Sequence, residues 1–248
     1  MPEDDKALET VAAANGIASD PLFGAVAPPL YLSSTFAFDG LETTRGYDYS
    51  RTANPTRDLL ADTVAKLEGG AGAVVVSSGM AAIDLVLSPL RPGDLVVAPH
   101  DCYAGTYRLL AARRDKGQFS VAFVDETDDA ALALALDKSP ALVLIETPSN
   151  PLMRIVDIRS VAGRVKKTGA KLAVDNTFLS PALQRPLALG ADYVVHSTTK
   201  YLNGHSDVVG GVVVAAAKAD AAAFAEWTNI TGTGGAPFDA YLTLRGLR

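Results

Sequence analysis

Short apolar runs recur along this chain, each followed by a polar or glycine-containing break and then by a stretch with helical spacing. The runs are 73–76, 94–98, 120–124, 141–145, 171–174, 191–195 and 208–215, and each reads as a strand. Several are apolar at consecutive positions, as strands covered on both faces are, so the pattern predicts an α/β fold with a mostly parallel seven-stranded sheet between helices. The intervening helices are expected at 80–87, 106–116, 129–137, 158–168 and 218–227, with apolar positions at helical spacing again over 240–248.

Ahead of the first run, Leu59, Leu60, Val64 and Leu67 share one helical face over 56–67, and Gly69-Gly70 stands just beyond it. Residues 1–50 show no clear period and carry Pro21, Pro28 and Pro29. Such a segment buries little apolar surface by itself, so it is expected to be an N-terminal arm lying against a neighbouring subunit.

Composition narrows the function classes. Apolar residues make up 48% and charged residues 20%, the balance of a globular protein. The net charge of -6, without a basic cluster, argues against nucleic-acid partners. A lone cysteine, Cys102, forms no internal disulfide. The acidic start, Met1 to Lys6, leads into no signal-type apolar core, and no run approaches the ~20 apolar residues of a membrane span. The expectation is a cytoplasmic chain with no membrane partner.

The chemistry gathers at the strand ends. His196-Ser197-Thr198-Thr199-Lys200-Tyr201 follows the sixth run. An ordinary lysine, with a pKa near ~10.4, is a poor nucleophile at neutral pH, but one condensed with an aldehyde becomes a covalent catalyst. Ser197 and Thr199 place two hydroxyls beside it, on one side of an extended segment. Asp175, in Asp175-Asn176-Thr177-Phe178, ends the fifth run, where a buried carboxylate is costly without a positive partner. Ser77-Ser78-Gly79-Met80 turns from the first run into a helix, so its amides face a possible anion.

Together these stretches resemble the pyridoxal-phosphate enzymes of cysteine and methionine metabolism, the trans-sulfuration group of cystathionine gamma-synthase, the cystathionine lyases and methionine gamma-lyase. The resemblance runs from about Val26 to Arg248. It implies the aspartate aminotransferase-like large domain of fold type I over 51–248 and pyridoxal 5'-phosphate as cofactor. Lys200 is then the Schiff-base lysine and Asp175 the partner of the pyridine nitrogen. Gly79 and Met80 hold the phosphate through their amides, joined by the Ser197 and Thr199 side chains. Tyr103 matches the tyrosine stacked on the ring, and Asn150, in Glu146-Thr147-Pro148-Ser149-Asn150-Pro151, the asparagine near the phenolic oxygen and the substrate carboxylate. Tyr49 and Arg51 match residues that reach the phosphate of a neighbouring subunit. The resemblance thus implies a shared active site in a homo-oligomer, a dimer of dimers, acting on small amino-acid substrates. Lys200, Tyr103 and Tyr49 carry catalytic roles in this pattern, and no metal is expected. His196 and His205 are read as structural.

Within the group, His100-Asp101-Cys102-Tyr103, Gly105 to Leu109 and Asp175 to Gln184 resemble the gamma-synthase branch. Methionine gamma-lyases carry a cysteine where Gly105 stands. The implied reaction is gamma-replacement on O-succinyl- or O-acetylhomoserine by cysteine, with Arg108 a candidate for the distal carboxylate of the leaving group and Arg51 a second. A cystathionine lyase, an O-acylhomoserine sulfhydrylase and a cofactor-binding but inactive piece remain as alternatives. In the family a smaller C-terminal domain with a carboxylate-gripping arginine follows, and the chain is expected to be incomplete without it. A dinucleotide-binding fold ranks last, because the first strand is followed by no Gly-x-Gly-x-x-Gly.

Overall fold

The structure, a computed structural model, describes residues 6–248; the acidic segment 1–5 lies outside the described residues. Seven strands form one sheet in the order β1-β7-β6-β5-β4-β2-β3. They are β1 (Gly72–Val76), β2 (Leu95–Pro99), β3 (Ser120–Val124), β4 (Leu142–Glu146), β5 (Lys171–Asp175), β6 (Tyr193–His196) and β7 (Gly211–Ala215). From β3 to β6 every neighbouring pair is parallel, while β7 runs antiparallel between β1 and β6. The carboxyl ends of β1, β2, β4, β5 and β6 therefore share one edge, the usual place for ligands in open sheets of this kind.

Side-chain alternation explains the two-sided cover. On β5, Ala173 joins one core with Leu144, Val195 and Phe224, while Leu172 and Val174 join another with Val143, Ile145 and Ile158. Val194, Val212 and Val214 turn instead toward Leu60, Val64 and Leu244. Every position of β4 is buried, which is why its sequence is apolar without alternation until Glu146.

Helices fill the connections: α2 (Pro55–Glu68), α3 (Gly79–Val86), α4 (Ala104–Asp115), α5 (Asp129–Leu136), α6 (Ile158–Val165), α8 (Lys218–Thr231) and α9 (Pro237–Gly246). Their starts follow capping chemistry. Asn54 accepts from the Thr56 and Arg57 amides ahead of α2, Ser78 from Ala81 ahead of α3, and Asp128 and Asp157 do the same for α5 and α6.

Two helical elements depart from the sequence expectation. α1 (Leu8–Ala14) lies inside the segment that shows no period; it has a single buried residue, Val11, too little to leave an apolar stripe. α7 (Ser180–Leu183), followed by a 3-10 turn at Pro186–Leu189, is too short for periodicity to register. Between α1 and α2 the chain has only isolated bridges, such as Thr35 with Tyr49, and leaves Leu22, Phe23, Val26, Leu32 and Leu41 exposed.

Candidate active site

A cavity of about 300 Å³ opens at the carboxyl edge of the sheet. Its walls bring together Gly79, Met80, Tyr103, Asn150, Asp175, Ser197, Thr199 and Lys200, all eight assigned from sequence to one site. They come from five separate strand ends, so the strand order, rather than any local stretch, assembles them.

Asp175 closes β5 and is partly buried, with its carboxylate in the cavity wall. Burial raises its carboxyl above the usual carboxylate range, against the opposing pull of two Thr177 hydrogen bonds and the nearby His196. Thr177 donates to Asp175 Oδ1 from its amide at 3.0 Å and from its hydroxyl at 2.6 Å. The same hydroxyl accepts from the Ser197 amide at 2.9 Å, tying the β5 end to the β6 end. A carboxylate so placed suits a cation arriving in the cavity.

The first-turn amides of α3 have no acceptor within the helix, as at any helix start. Gly79 lies so near Ser197 that an added Cβ would stand 2.6 Å from the Ser197 Cβ and 2.9 Å from its hydroxyl. Backbone amides and a serine hydroxyl thus crowd one corner, a donor set suited to phosphate. The Ser197 to Lys200 segment is a turn rather than the extended run expected from sequence, closed by the Lys200 amide donating to the Ser197 carbonyl at 3.2 Å. Both hydroxyls still line the cavity, although that of Thr199 also accepts from the Gly210 amide at 3.0 Å and donates to its carbonyl at 3.2 Å.

Tyr103 precedes α4, is 46% exposed and lines the cavity. Gly105 makes this possible, since a Cβ there would fall 2.5 Å from the Tyr103 ring and 2.8 Å from Met80 Sδ. The buried Thr106 hydroxyl, also in the wall, has no hydrogen-bond partner among the described residues. A flat, anionic ligand with a cationic ring nitrogen fits this donor set.

Three sequence-assigned residues lie elsewhere. Tyr49 and Arg51 do not line the cavity; Arg51 donates to the Asn229 carbonyl at 2.7 Å and stands 5.6 Å from the Tyr49 ring centroid. Arg108 is exposed on α4, also outside the cavity wall. His196 is fully buried, with Nε2 hydrogen-bonded to Glu68 Oε1 at 2.7 Å, and His205 Nδ1 meets the Asn203 carbonyl at 2.6 Å. Neither histidine lines the cavity.

Sequence reasoning passed over Glu146, Thr177 and Phe178, which line the cavity too. Glu146 carries the signal that identified Asp175, a carboxylate ending an apolar strand, and its register partner across the sheet is Asp175 itself. Thr177 had no such signal, because a threonine two residues past a strand is ordinary turn chemistry.

This sheet, with a lysine, a partly buried aspartate and an amide-lined corner at its carboxyl edge, is that of the fold-type-I pyridoxal-phosphate enzymes. Within that class the chain belongs to the Cys/Met metabolism PLP-dependent enzyme family, whose model matches residues 9–248. It is 55% identical over 240 residues to a cystathionine gamma-synthase of Escherichia coli K12, covering 96% of this chain and 62% of that one. It is 49% identical over 235 residues to a cystathionine gamma-synthase of Mycobacterium tuberculosis H37Rv, covering 94% and 61%. A crystal structure of cystathionine gamma synthase from Xanthomonas oryzae pv. oryzae, in complex with aminoacrylate and cysteine, superposes with a TM-score of 0.97 at 57% identity, covering 98% of this chain and 63% of that one. The chain thus spans about three fifths of the length of these relatives.

Proposed function

We propose that the protein to which this chain belongs replaces the acyl group of O-succinyl- or O-acetylhomoserine with cysteine, giving cystathionine and the free carboxylic acid, with pyridoxal 5'-phosphate as cofactor. The observation that carries this is the meeting of Lys200 and the partly buried Asp175 in one cavity with the Gly79–Ser197 corner. The choice of gamma-replacement within the family is supported by the relatives above, each of them a gamma-synthase.

In this reading Lys200 anchors the cofactor's aldehyde carbon and, once released, carries a proton between substrate carbons. Asp175 holds the proton on the ring nitrogen. Gly79 and Met80 amides with Ser197 and Thr199 hold the phosphate, and Tyr103 covers the ring and excludes water. Asn150 meets the phenolic oxygen and the substrate carboxylate. Bound there, the cofactor supplies an electron sink for the pair left when the substrate's α-proton departs. Tyr49 and Arg51, which do not line their own cavity, serve the phosphate of a neighbouring copy; the exposed apolar residues of the arm lie against that copy, and the assembly is a dimer of dimers. Arg108, on the α4 surface, takes the distal carboxylate of the leaving group, and the chain works in the cytoplasm.

The test is a borohydride trap followed by peptide mapping, beside assays of cystathionine formation and cystathionine cleavage. The wild type traps the cofactor on the Lys200 peptide and forms cystathionine faster than it cleaves it. Lys200→Ala loses the covalent label and more than about a thousandfold of the activity. A label on another peptide overturns the site, and faster cleavage overturns the choice of reaction.

A further inference from the structure

Glu146 is the last residue of β4 and only 8% exposed, yet it lines the cavity. Its two carboxylate oxygens do different work. Oε2 accepts from the Tyr103 amide at 2.8 Å, and Oε1 accepts from the Asn150 amide at 2.7 Å. Tyr103 stands at the start of α4, and its own side chain makes no capping bond there, so the anion beside that helix start comes from another strand. Asn150 belongs to the loop leaving β4. One side chain thus fastens two walls far apart in sequence, beside the Ser149 hydroxyl, which donates to Asp101 Oδ2 at 2.7 Å between the same two segments, while the Glu146 backbone pairs with Asp175 in the sheet.

Charge-assisted bonds of this kind are short and strong, and losing one inside an enclosed site leaves an amide unsatisfied. We propose that Glu146 is a positioning residue of the site: its carboxylate clamps Tyr103 and Asn150 so that ring and amide stay turned into one cavity beside Asp175. The inference rests on the reading of that cavity as the cofactor and substrate site.

The groups facing Glu146 give the clamp a pH dependence. Asp175 comes from β5, Asp101 and Cys102 from the segment between β2 and α4, and Glu126 from the segment after β3; Lys200 lines the same cavity. Burial first, then the Asp175 charge, push the Glu146 carboxyl up to about 7, against the pull of the two amide bonds. A protonated carboxyl turns one oxygen into a donor, which then faces an amide N–H instead of accepting from it. The clamp is complete only when Glu146 is ionised.

The experiment compares wild type, Glu146→Gln and Glu146→Asp as full-length holoenzymes. It reads the circular dichroism that the protein induces in the bound cofactor, cofactor affinity, Tm, and kcat and KM for the acyl replacement across the neutral pH range. Glu146→Gln keeps the shape but can accept only one of the two amides. We expect it to hold the cofactor within about threefold of wild type and to keep its Tm within a few degrees. Its kcat drops by roughly tenfold or more with little change in KM, the induced dichroism changes, and the rise of kcat through neutral pH flattens. Glu146→Asp, charged but one methylene short, retains the pH-dependent limb without regaining full kcat. Wild-type dichroism and pH profile in Glu146→Gln overturn the clamp, as does a loss of activity that follows Tm alone. A wild type that takes up no cofactor sinks the cavity reading itself, and the clamp falls with it.

Discussion

Two carboxylates end neighbouring strands in register, and the cavity treats them differently. Asp175 takes both its bonds from Thr177 on one oxygen and is influenced by His196, whereas Glu146 spends one oxygen on each of two amides and is acted on by the carboxylates of Asp175 and Asp101. The aspartate is therefore the one suited to meet a cationic ring nitrogen, and the glutamate the one suited to hold walls in place. Gly79 shows how little room the corner proposed for the phosphate has. In Gly79→Ala the new methyl would meet the Ser197 Cβ at 2.6 Å, so Ser197 must give way or the start of α3 must move. Either shift separates the amides from the hydroxyl. The expected outcome is a cofactor Kd raised on the order of tenfold, about 1.4 kcal/mol, with far-UV dichroism unchanged; spectroscopic titration with pyridoxal phosphate checks it, and an unaltered Kd shows that the corner tolerates the added methyl.

At the scale of elements, the strands were legible because each is a short run of apolar residues covered on both faces, and β3 and the start of α6 fall where the pattern placed them. α1 and α7 escaped for a physical reason: they bury one residue each, so nothing in the sequence distinguishes them from loop. The site was legible in part. Lys200, Asp175 and Ser197 stand where an apolar strand stops, but Glu146 needed the knowledge that β4 and β5 pair in register, which a linear pattern does not carry. The carboxyl groups at these strand ends also set a pH dependence for the fold. Burial raises Glu146 to about 7 from an ordinary 4.5, raises Asp175 as well, and raises Glu126, whose two oxygens lack partners among the described residues, further still. In the unfolded chain these groups release their protons at ordinary values. From about pH 4.5 to 7 the folded protein therefore binds more protons than the unfolded one, and stability falls as pH rises through that window. Glu146 alone accounts for roughly 3 kcal/mol of the difference. Urea melts of the cofactor-free protein at the two ends of the window check this, and in Glu146→Gln the slope flattens by a comparable amount. A stability that climbs across the same window contradicts the burial of these acids.

For the whole molecule, the decisive geometry is where Tyr49 and Arg51 are not. Arg51 donates to the Asn229 carbonyl, at the far end of α8, with the Tyr49 ring beside it, while among the described residues no arginine lines the cavity. The arm leading to them leaves Leu22, Phe23 and Leu41 exposed, and between α1 and α2 it is held by isolated bridges rather than by the sheet. The proposal that these residues serve a neighbouring copy has a consequence that no single-chain reading shares. Arg51→Ala and Lys200→Ala should each abolish most activity as homo-oligomers, because each damages every site. When the two variants are unfolded together, mixed equally and refolded, half of the dimers combine one of each. In such a dimer one cavity carries both defects, and the other has an intact Lys200 facing an intact Arg51 from the partner. Activity should return to about a quarter of wild type, the fraction set by random pairing in a two-fold assembly. If the mixture stays as inactive as its components, Arg51 acts within its own chain or not at the site at all, and the arm is then explained by its packing alone.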